Sequence, residues 1–227
     1  MVIFFVNIIL YFMKKVFLFL AFFIFLTGCS DSEISSTSDQ TSTLKVYKKI
    51  SQDDLKKEYE ALQKSLSHKI FIEASNNFIS KMKFNDDIKL IESEVTLLKW
   101  ISDNISITEF SNIEEATEEW KIIIELKANE IAENKNFYNL IKDATEEQLI
   151  NVFTPEFEQV TLGECEKTCN YGRNRCLLGA AVRYAKEWMD NGAFSVAGQA
   201  YATLSYLLNQ STCAKSYSLC LEGCEFN

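Results

Sequence analysis

Six cysteines near the end of the chain are spaced as a palindrome, and this spacing constrains the fold more than any other feature of the sequence. They are Cys165, Cys169, Cys176, Cys213, Cys220 and Cys224. The first three are separated by three and then six residues, and the last three repeat these gaps in reverse order. On an α-helix, offsets of 4 and 11 residues fall within about 40° of the starting residue, so each triplet shares one narrow face.

Two antiparallel helices with mirrored cysteine faces can be joined by three disulfide bonds. The predicted pairs are Cys165–Cys224, Cys169–Cys220 and Cys176–Cys213. Between the triplets, Asp190-Asn191-Gly192 is typical of a helix end and a turn. Small residues such as Gly179 and Ala180 permit the separation of about 5.5 Å between Cα atoms that a disulfide requires. The sequence therefore predicts a six-cysteine helical hairpin over residues 156–227.

Cys165/Cys169 and Cys220/Cys224 are similar to the twin Cys-x3-Cys helical hairpins of small intermembrane-space chaperones. The resemblance concerns geometry alone, since this chain adds a third cysteine pair and a long insert between Cys176 and Cys213. Chaperone activity is not transferred with it.

Clustered cysteines have two other uses. A zinc site has little support, because there is no Cys-x2-Cys pair and the one histidine, His68, is far away in sequence. A reactive thiol has somewhat more support, because Arg173 and Arg175 lie close to Cys176 in sequence and nearby cations lower the pKa of a thiol. Catalytic redox pairs are more often Cys-x-x-Cys, however. We expect structural disulfides, with no catalytic residue, metal ligand or cofactor, and retain thiol–disulfide exchange as the alternative.

The N-terminal region has the features of an export signal. Lys14-Lys15 precedes the apolar run Val16–Leu26, whose eleven residues are too few to span a bilayer stably. If Met1 were the start, both lysines would lie inside a longer apolar helix, at a cost of roughly 2.5–3.5 kcal/mol each. We therefore expect translation to begin at Met13.

The apolar run ends in Leu26-Thr27-Gly28-Cys29, which resembles the lipobox of bacterial lipoproteins. The resemblance implies that residues 1–28 are a signal peptide, that cleavage precedes Cys29, and that acyl chains on this cysteine anchor the protein to a membrane. Lipidation also leaves six of the seven cysteines, an even number suited to three disulfides in an oxidising compartment.

The residues that follow Cys29 are polar. Residues 29–44 are rich in serine and threonine, which predicts a flexible stalk. Ser30-Asp31-Ser32-Glu33 looks like the acidic tag of surface-displayed lipoproteins. We expect a location in the bacterial cell envelope, with the surface of the outer membrane favoured over its periplasmic side.

Residues 45–155 predict a helical bundle, because residues 44–150 contain no glycine, proline or cysteine and their apolar residues recur every three or four positions. One such stripe runs from Leu55 to Ala74. Residues typical of helix starts are Ser51, Asn85, Ser111 with Glu114, Thr145 with Gln148, and Thr154 before Pro155. Whether bundle and hairpin share one core is left open by the sequence.

Several side chains are candidates for recognition. The possible binding surface on the hairpin consists of Tyr171, Arg173, Arg175, Tyr184, Trp188, Tyr201 and Tyr206. The alternative, which we favour, is that the aromatic residues dock the hairpin onto the bundle. For His68 a solvated or packing role is expected, and for the acidic pairs Glu114/Glu118 and Glu115/Glu119 a role at a helix start.

Composition limits the partners. The net charge of −9 gives no electrostatic reason to bind nucleic acid, and contact with the membrane is expected through the lipid alone. The sequence predicts an all-α envelope protein that is a non-catalytic binding or structural module for an unknown protein or glycan. A toxin-neutralising immunity lipoprotein is one version. A thiol–disulfide oxidoreductase or envelope-folding chaperone is the alternative.

Overall fold

A computed structural model describes residues 50–157, 163–192 and 195–224. Within these ranges the chain is helical and contains no strand, which confirms the all-α prediction. No helix in the same ranges is both long and apolar enough to cross a membrane. The expected signal peptide, the lipobox with Cys29 and the stalk lie outside the described residues.

Eight α-helices make up these ranges. In chain order they are α1 (Gln52–Lys64), α2 (Leu66–Met82), α3 (Glu94–Asp103), α4 (Ile113–Glu133), α5 (Lys135–Ile141), α6 (Glu146–Phe153), α7 (Glu164–Glu187) and α8 (Val196–Cys224). Two 3₁₀ turns, Ile88–Ile91 and Ile105–Ile107, flank α3, and a π-helical turn, Trp188–Gly192, follows α7.

The predicted helix starts are partly correct. Thr145 caps α6 in a full capping box with Gln148, and Ser51 precedes α1 although its side chain makes no capping bond. The stripe from Leu55 to Ala74 belongs to two helices, not one. They divide at Ser65, whose extended backbone ends α1 and whose hydroxyl accepts the His68 N–H at 3.3 Å to start α2.

Three other starts were wrong. Asn85 begins no helix, because α3 starts only after Ser93, whose hydroxyl accepts from the Thr96 N–H at 3.2 Å. The cap of α4 is Asn112, one residue beyond Ser111. Thr154 ends α6 and starts nothing, since its hydroxyl donates back to the Ile150 carbonyl at 2.7 Å. Each of the three predicted residues is a type that often caps a helix, but residue type alone does not decide where a helix begins.

Two hydrophobic clusters form the core, and α8 contributes to both. Ala200, Leu204 and Leu208 recur every four residues and pack in a cluster with α2, α3 and α4. Ala202 and Tyr206, elsewhere around the same helix, pack in a cluster with α1, α5, α6 and α7. The hairpin is therefore not an appendage of the bundle, because its last helix contributes to both clusters.

The hairpin is closed by three disulfide bonds, which confirms the predicted pairing. They join Cys165 to Cys224, Cys169 to Cys220 and Cys176 to Cys213, with Cα–Cα distances of 5.8, 5.7 and 5.7 Å. All three lie beyond the two hydrophobic clusters.

We call residues 164–176 and 211–224 the distal arm. Within it, Cys169 and Cys213 are the only buried residues. An isolated pair of helices without an apolar core is marginal in water. The disulfides therefore supply the cohesion that hydrophobic packing supplies elsewhere.

Candidate functional site

A cleft of about 550 Å³ opens between α1, the start of α2, the end of α6 and α8. Its volume is within the range of sites for small molecules. Six aromatic side chains contribute to its lining: Tyr59, Phe137, Tyr138, Phe153, Tyr184 and Tyr206. Amide side chains nearer the solvent are Gln63, Asn151 and Gln210. At one edge of the cleft, Lys56 forms a salt bridge of 2.7 Å with Glu156, and both side chains are exposed.

Lys127 and Glu130 of α4 lie at the floor of this cleft, with side chains only 2% and 0% exposed. The Lys127 ammonium contacts Glu130 Oε2 at 3.2 Å, the Tyr138 hydroxyl at 2.9 Å and Thr203 Oγ1 at 3.4 Å. It also lies 4.6 Å from the ring centre of Phe71. All three ammonium protons therefore have a partner, as a buried lysine requires.

Glu130 is equally well bonded. Its Oε1 accepts from the Tyr138 hydroxyl at 3.0 Å and lies 3.0 Å from Nδ1 of His68, while Oε2 faces Lys127. We call Lys127, Glu130, Tyr138 and His68 the polar floor. Tyr138 belongs to one hydrophobic cluster and Phe71 to the other, so the floor lies where the two clusters meet.

Burial and charge act in opposite directions on the pKa values of this pair. Burial lowers the pKa of the Lys127 ammonium, and the negative charge of Glu130 opposes that shift. Burial alone would raise the pKa of the Glu130 carboxyl, but Lys127 and His68 together outweigh it and hold that pKa below its usual range. Burial also raises the pKa of Tyr138 well above its ordinary value. Glu130 is thus ionised at neutral pH and depends on Lys127 to remain so.

His68 connects the polar floor to the open part of the cleft. Its side chain is 18% exposed, and its Nδ1 is directed to the buried Glu130 carboxylate. Such a carboxylate fixes the ring orientation and the tautomer, with Nδ1 as the donor and Nε2 available to other groups. No hydrogen bond to Nε2 is formed by the residues that the structure describes.

This arrangement is suited to binding. Lys127 and Glu130 are bonded to one another and to their neighbours and are only 2% and 0% exposed, so their role is to position the surrounding side chains. His68 Nε2 and the amide groups nearer the solvent offer donors and acceptors beside aromatic rings. Neither serine nor cysteine is among the described residues that line the cleft.

The hairpin residues proposed as a binding surface do not lie together. Tyr184, Trp188 and Tyr206 are buried, and Tyr201 is half-buried with its hydroxyl donating to the Ile91 carbonyl, so these four pack as the favoured alternative expected. Tyr184 and Tyr206 stack at 4.6 Å and form part of the cleft lining.

The other three proposed residues lie on the distal arm. Tyr171 is 69% exposed, and Arg173 and Arg175 are exposed as well. The Arg173 guanidinium lies 5.1 Å from the ring centre of Tyr217 on the opposite helix.

The acidic pairs at the start of α4 have a structural role in part. Lys81 of α2 pairs with Glu115 at 2.7 Å and also contacts Glu119. The hydrogen bond from Lys81 lowers the pKa of the Glu115 carboxyl to about 2, with help from the Ser111 N–H. These carboxylates therefore join α2 to α4.

The sulfur atoms at the end of the distal arm are close together. The Sγ atoms of Cys165, Cys169 and Cys224 lie within 4.8 Å of one another, a spacing that would suit a metal ion. All three are in disulfide bonds, however, so no thiolate is available as a ligand in this state.

Sequence reasoning missed the polar floor. The buried positions of α4 are Ala116, Trp120, Ile123, Lys127 and Glu130, at the three- and four-residue spacing of an inward face. The signal was thus present, as a lysine and a glutamate continuing an apolar stripe. The partners Tyr138 and His68 are distant in sequence and gave no signal of their own.

No family model matches the chain, and no curated protein or solved structure shows significant similarity to it.

Proposed function

We propose that the protein is a lipid-anchored, non-catalytic binding module of the bacterial cell envelope, and that the cleft above the polar floor is its ligand site. The lipobox at Leu26-Thr27-Gly28-Cys29 supports the anchor. The three disulfides support an oxidising compartment, which the exterior of the cytoplasmic membrane provides.

The observation that carries the binding role is the cleft itself. It combines aromatic rings with a few oriented polar groups, the composition of sites for small polar molecules. The ligand that fits is a short glycan, since sugar rings present apolar faces for Tyr59 and hydroxyls for His68 and Gln63. The charges of the floor are already neutralised internally, so a strongly charged ligand has no particular advantage.

A bulky side chain placed inside the cleft should weaken binding of the glycan. Leu207 lies on the cleft wall, and Leu207→Trp is expected to weaken binding of an envelope-derived oligosaccharide at least tenfold, because the indole occupies the space of the ligand. Saturation-transfer NMR with oligosaccharides of two to six sugars identifies a binder, and calorimetry then gives the affinity. Leu219→Trp is the matched control, since Leu219 is on the same helix but 59% exposed on the distal arm.

Two results would contradict this assignment. One is that none of the oligosaccharides shows saturation transfer to the wild-type protein. The other is that Leu207→Trp binds as tightly as Leu219→Trp while both keep the wild-type circular dichroism spectrum. Binding of a peptide in place of a glycan would retain the site and overturn the ligand class.

The anchor has a separate test. Cys29→Ala removes the thiol that would carry the lipid, so the variant is expected to lose incorporated palmitate and its mature lipidated mass. The protein should then leave the detergent phase on phase separation. Unchanged membrane association of Cys29→Ala would exclude the lipoprotein assignment, and it would leave the cleft experiment unaffected because that experiment uses purified protein.

A further inference from the structure

The two disulfides nearest the end of the distal arm are accessible to other molecules. Each outer bond includes an exposed cysteine, Cys165 or Cys220, whose partners are the half-buried Cys224 and the buried Cys169. The inner bond includes none, since Cys176 is half-buried and Cys213 is only 1% exposed. A thiol from solution can therefore reach the outer bonds before the inner one. The outer bonds also lie beyond both hydrophobic clusters, so opening one of them does not disrupt the core.

These two outer disulfides also touch each other. The Sγ atoms of Cys169 and Cys224 belong to different bonds and are only 3.7 Å apart. This is the contact distance of two sulfur atoms. Exchange proceeds by attack of a thiolate on a disulfide sulfur, so a thiolate formed at Cys224 has its target already beside it.

We propose that Cys165, Cys169, Cys220 and Cys224 form one thiol–disulfide exchange unit that accepts electrons from dithiols outside the protein. In the first step an external dithiol is oxidised to its disulfide. Two electrons and two protons pass to Cys165–Cys224, which becomes two thiols. In the second step the Cys224 thiol loses its proton to water, and the thiolate attacks Sγ of Cys169, forming Cys169–Cys224 and breaking Cys169–Cys220. The electron pair of the broken bond leaves on Cys220, which takes a proton from water.

The second step leaves the number of disulfides unchanged. The two free thiols are therefore first those of Cys165 and Cys224 and afterwards those of Cys165 and Cys220. Both of these final thiols are exposed, so the reduced pair ends at two accessible positions. Cys165 is the second residue of α7, where the helix dipole favours a thiolate. Of its two acidic neighbours, Glu164 pairs with Lys167 at 2.6 Å and Glu166 accepts from the Gly163 N–H at 2.9 Å. Throughout, Cys176–Cys213 holds the two helices together. The activity is independent of the cleft and goes beyond the binding role.

The test is partial reduction of the purified, oxidised protein. Less than one equivalent of dithiothreitol is added, the reaction is quenched with acid, and free thiols are alkylated before peptide mapping. The expected products are alkylated Cys165 and Cys220 in equal yield and a peptide cross-linked through Cys169 and Cys224. The Cys176–Cys213 peptide should remain intact.

The double variant Cys169→Ala/Cys220→Ala removes the target of the internal attack. Its outer bond should open equally well, with the label now confined to Cys165 and Cys224. Label at these two positions alone in the wild-type protein, without the Cys169–Cys224 peptide, would overturn the proposal. So would new cross-links through Cys176 or Cys213, which indicate random scrambling, or simultaneous opening of all three bonds.

Discussion

Replacing Lys127 by methionine is expected to lower the free energy of unfolding by about 3–5 kcal/mol, because the change leaves a buried carboxylate without its cation. Glu130 is fully buried, and its ionised state depends on Lys127. The Tyr138 hydroxyl loses a donor at the same time. Methionine is similar to lysine in length and flexibility, so packing against Phe71 changes little. Denaturation by urea, followed by circular dichroism, measures the loss.

Lys121→Met is the matched control on the same helix. Lys121 and its partner Glu118 are exposed, so this substitution should change the free energy of unfolding by less than about 1 kcal/mol. The double variant Lys127→Met/Glu130→Gln removes both charges and should recover at least half of the loss. An equal loss in the single and double variants would mean that packing, and not charge, accounts for the effect.

The free energy of unfolding of Lys127→Met should also depend on pH, and the direction of this dependence can be predicted. Without Lys127 only His68 opposes the effect of burial, so the pKa of Glu130 in the folded protein is expected to rise above its value in the unfolded chain. The folded state then binds more protons, so the stability of Lys127→Met should fall as the pH rises from 5 to 8. The deficit relative to wild type should therefore be larger at pH 8 than at pH 5. A deficit that is constant across this range would show that Glu130 takes up no proton on folding and stays ionised without Lys127.

The second large effect is expected from the inner disulfide. With the outer bonds in place, Cys176–Cys213 closes a ring of roughly 16 residues, whose loss in the loop-entropy model costs about 3 kcal/mol. This bond lies at the end of the distal arm nearest the hydrophobic clusters, so its loss also loosens the point at which the arm joins the core. Unfolding of Cys176→Ala/Cys213→Ala by denaturant measures this loss in the free energy of unfolding.

Cys165→Ala/Cys224→Ala should lower the free energy of unfolding by about 1 kcal/mol or less in the same experiment. Removal of the outermost bond frees the unfolded chain, but it also frees the arm end in the folded state, and the two gains in entropy largely cancel. Equal losses for the two double variants would contradict the view that the distal arm lacks packing of its own.

The hairpin was predictable because its determinants are regular and local. The cysteine gaps set a helical face, and the palindrome set both the antiparallel direction and the pairing that the structure contains. The capping box at Thr145 was equally local. Asn85 failed as a helix start because a good capping residue forms a cap only if the following segment can pack, and Ser93 meets that condition.

The cleft was not predictable, for a physical reason. The recurrence of apolar residues predicted helices in this part of the chain, but a pattern of hydrophobicity by itself gives no sign that a charged residue will be buried. Lys127 is buried because Glu130 of its own helix, Tyr138 of α5 and Thr203 of α8 all accept hydrogen bonds from its ammonium. This arrangement is a property of the tertiary fold. The partners are separated from Lys127 by as many as 76 positions along the chain.

The position of α8 bears on how the protein is made. This helix contributes to both hydrophobic clusters, yet it follows the seven other α-helices that the structure describes along the chain. Neither cluster is complete until α8 has left the ribosome, so we expect the preceding helices to emerge before either cluster can close. A polypeptide that must be threaded through a translocation channel benefits from that delay. Under the export that we propose, folding would then be completed on the far side, where oxidants can form the disulfides.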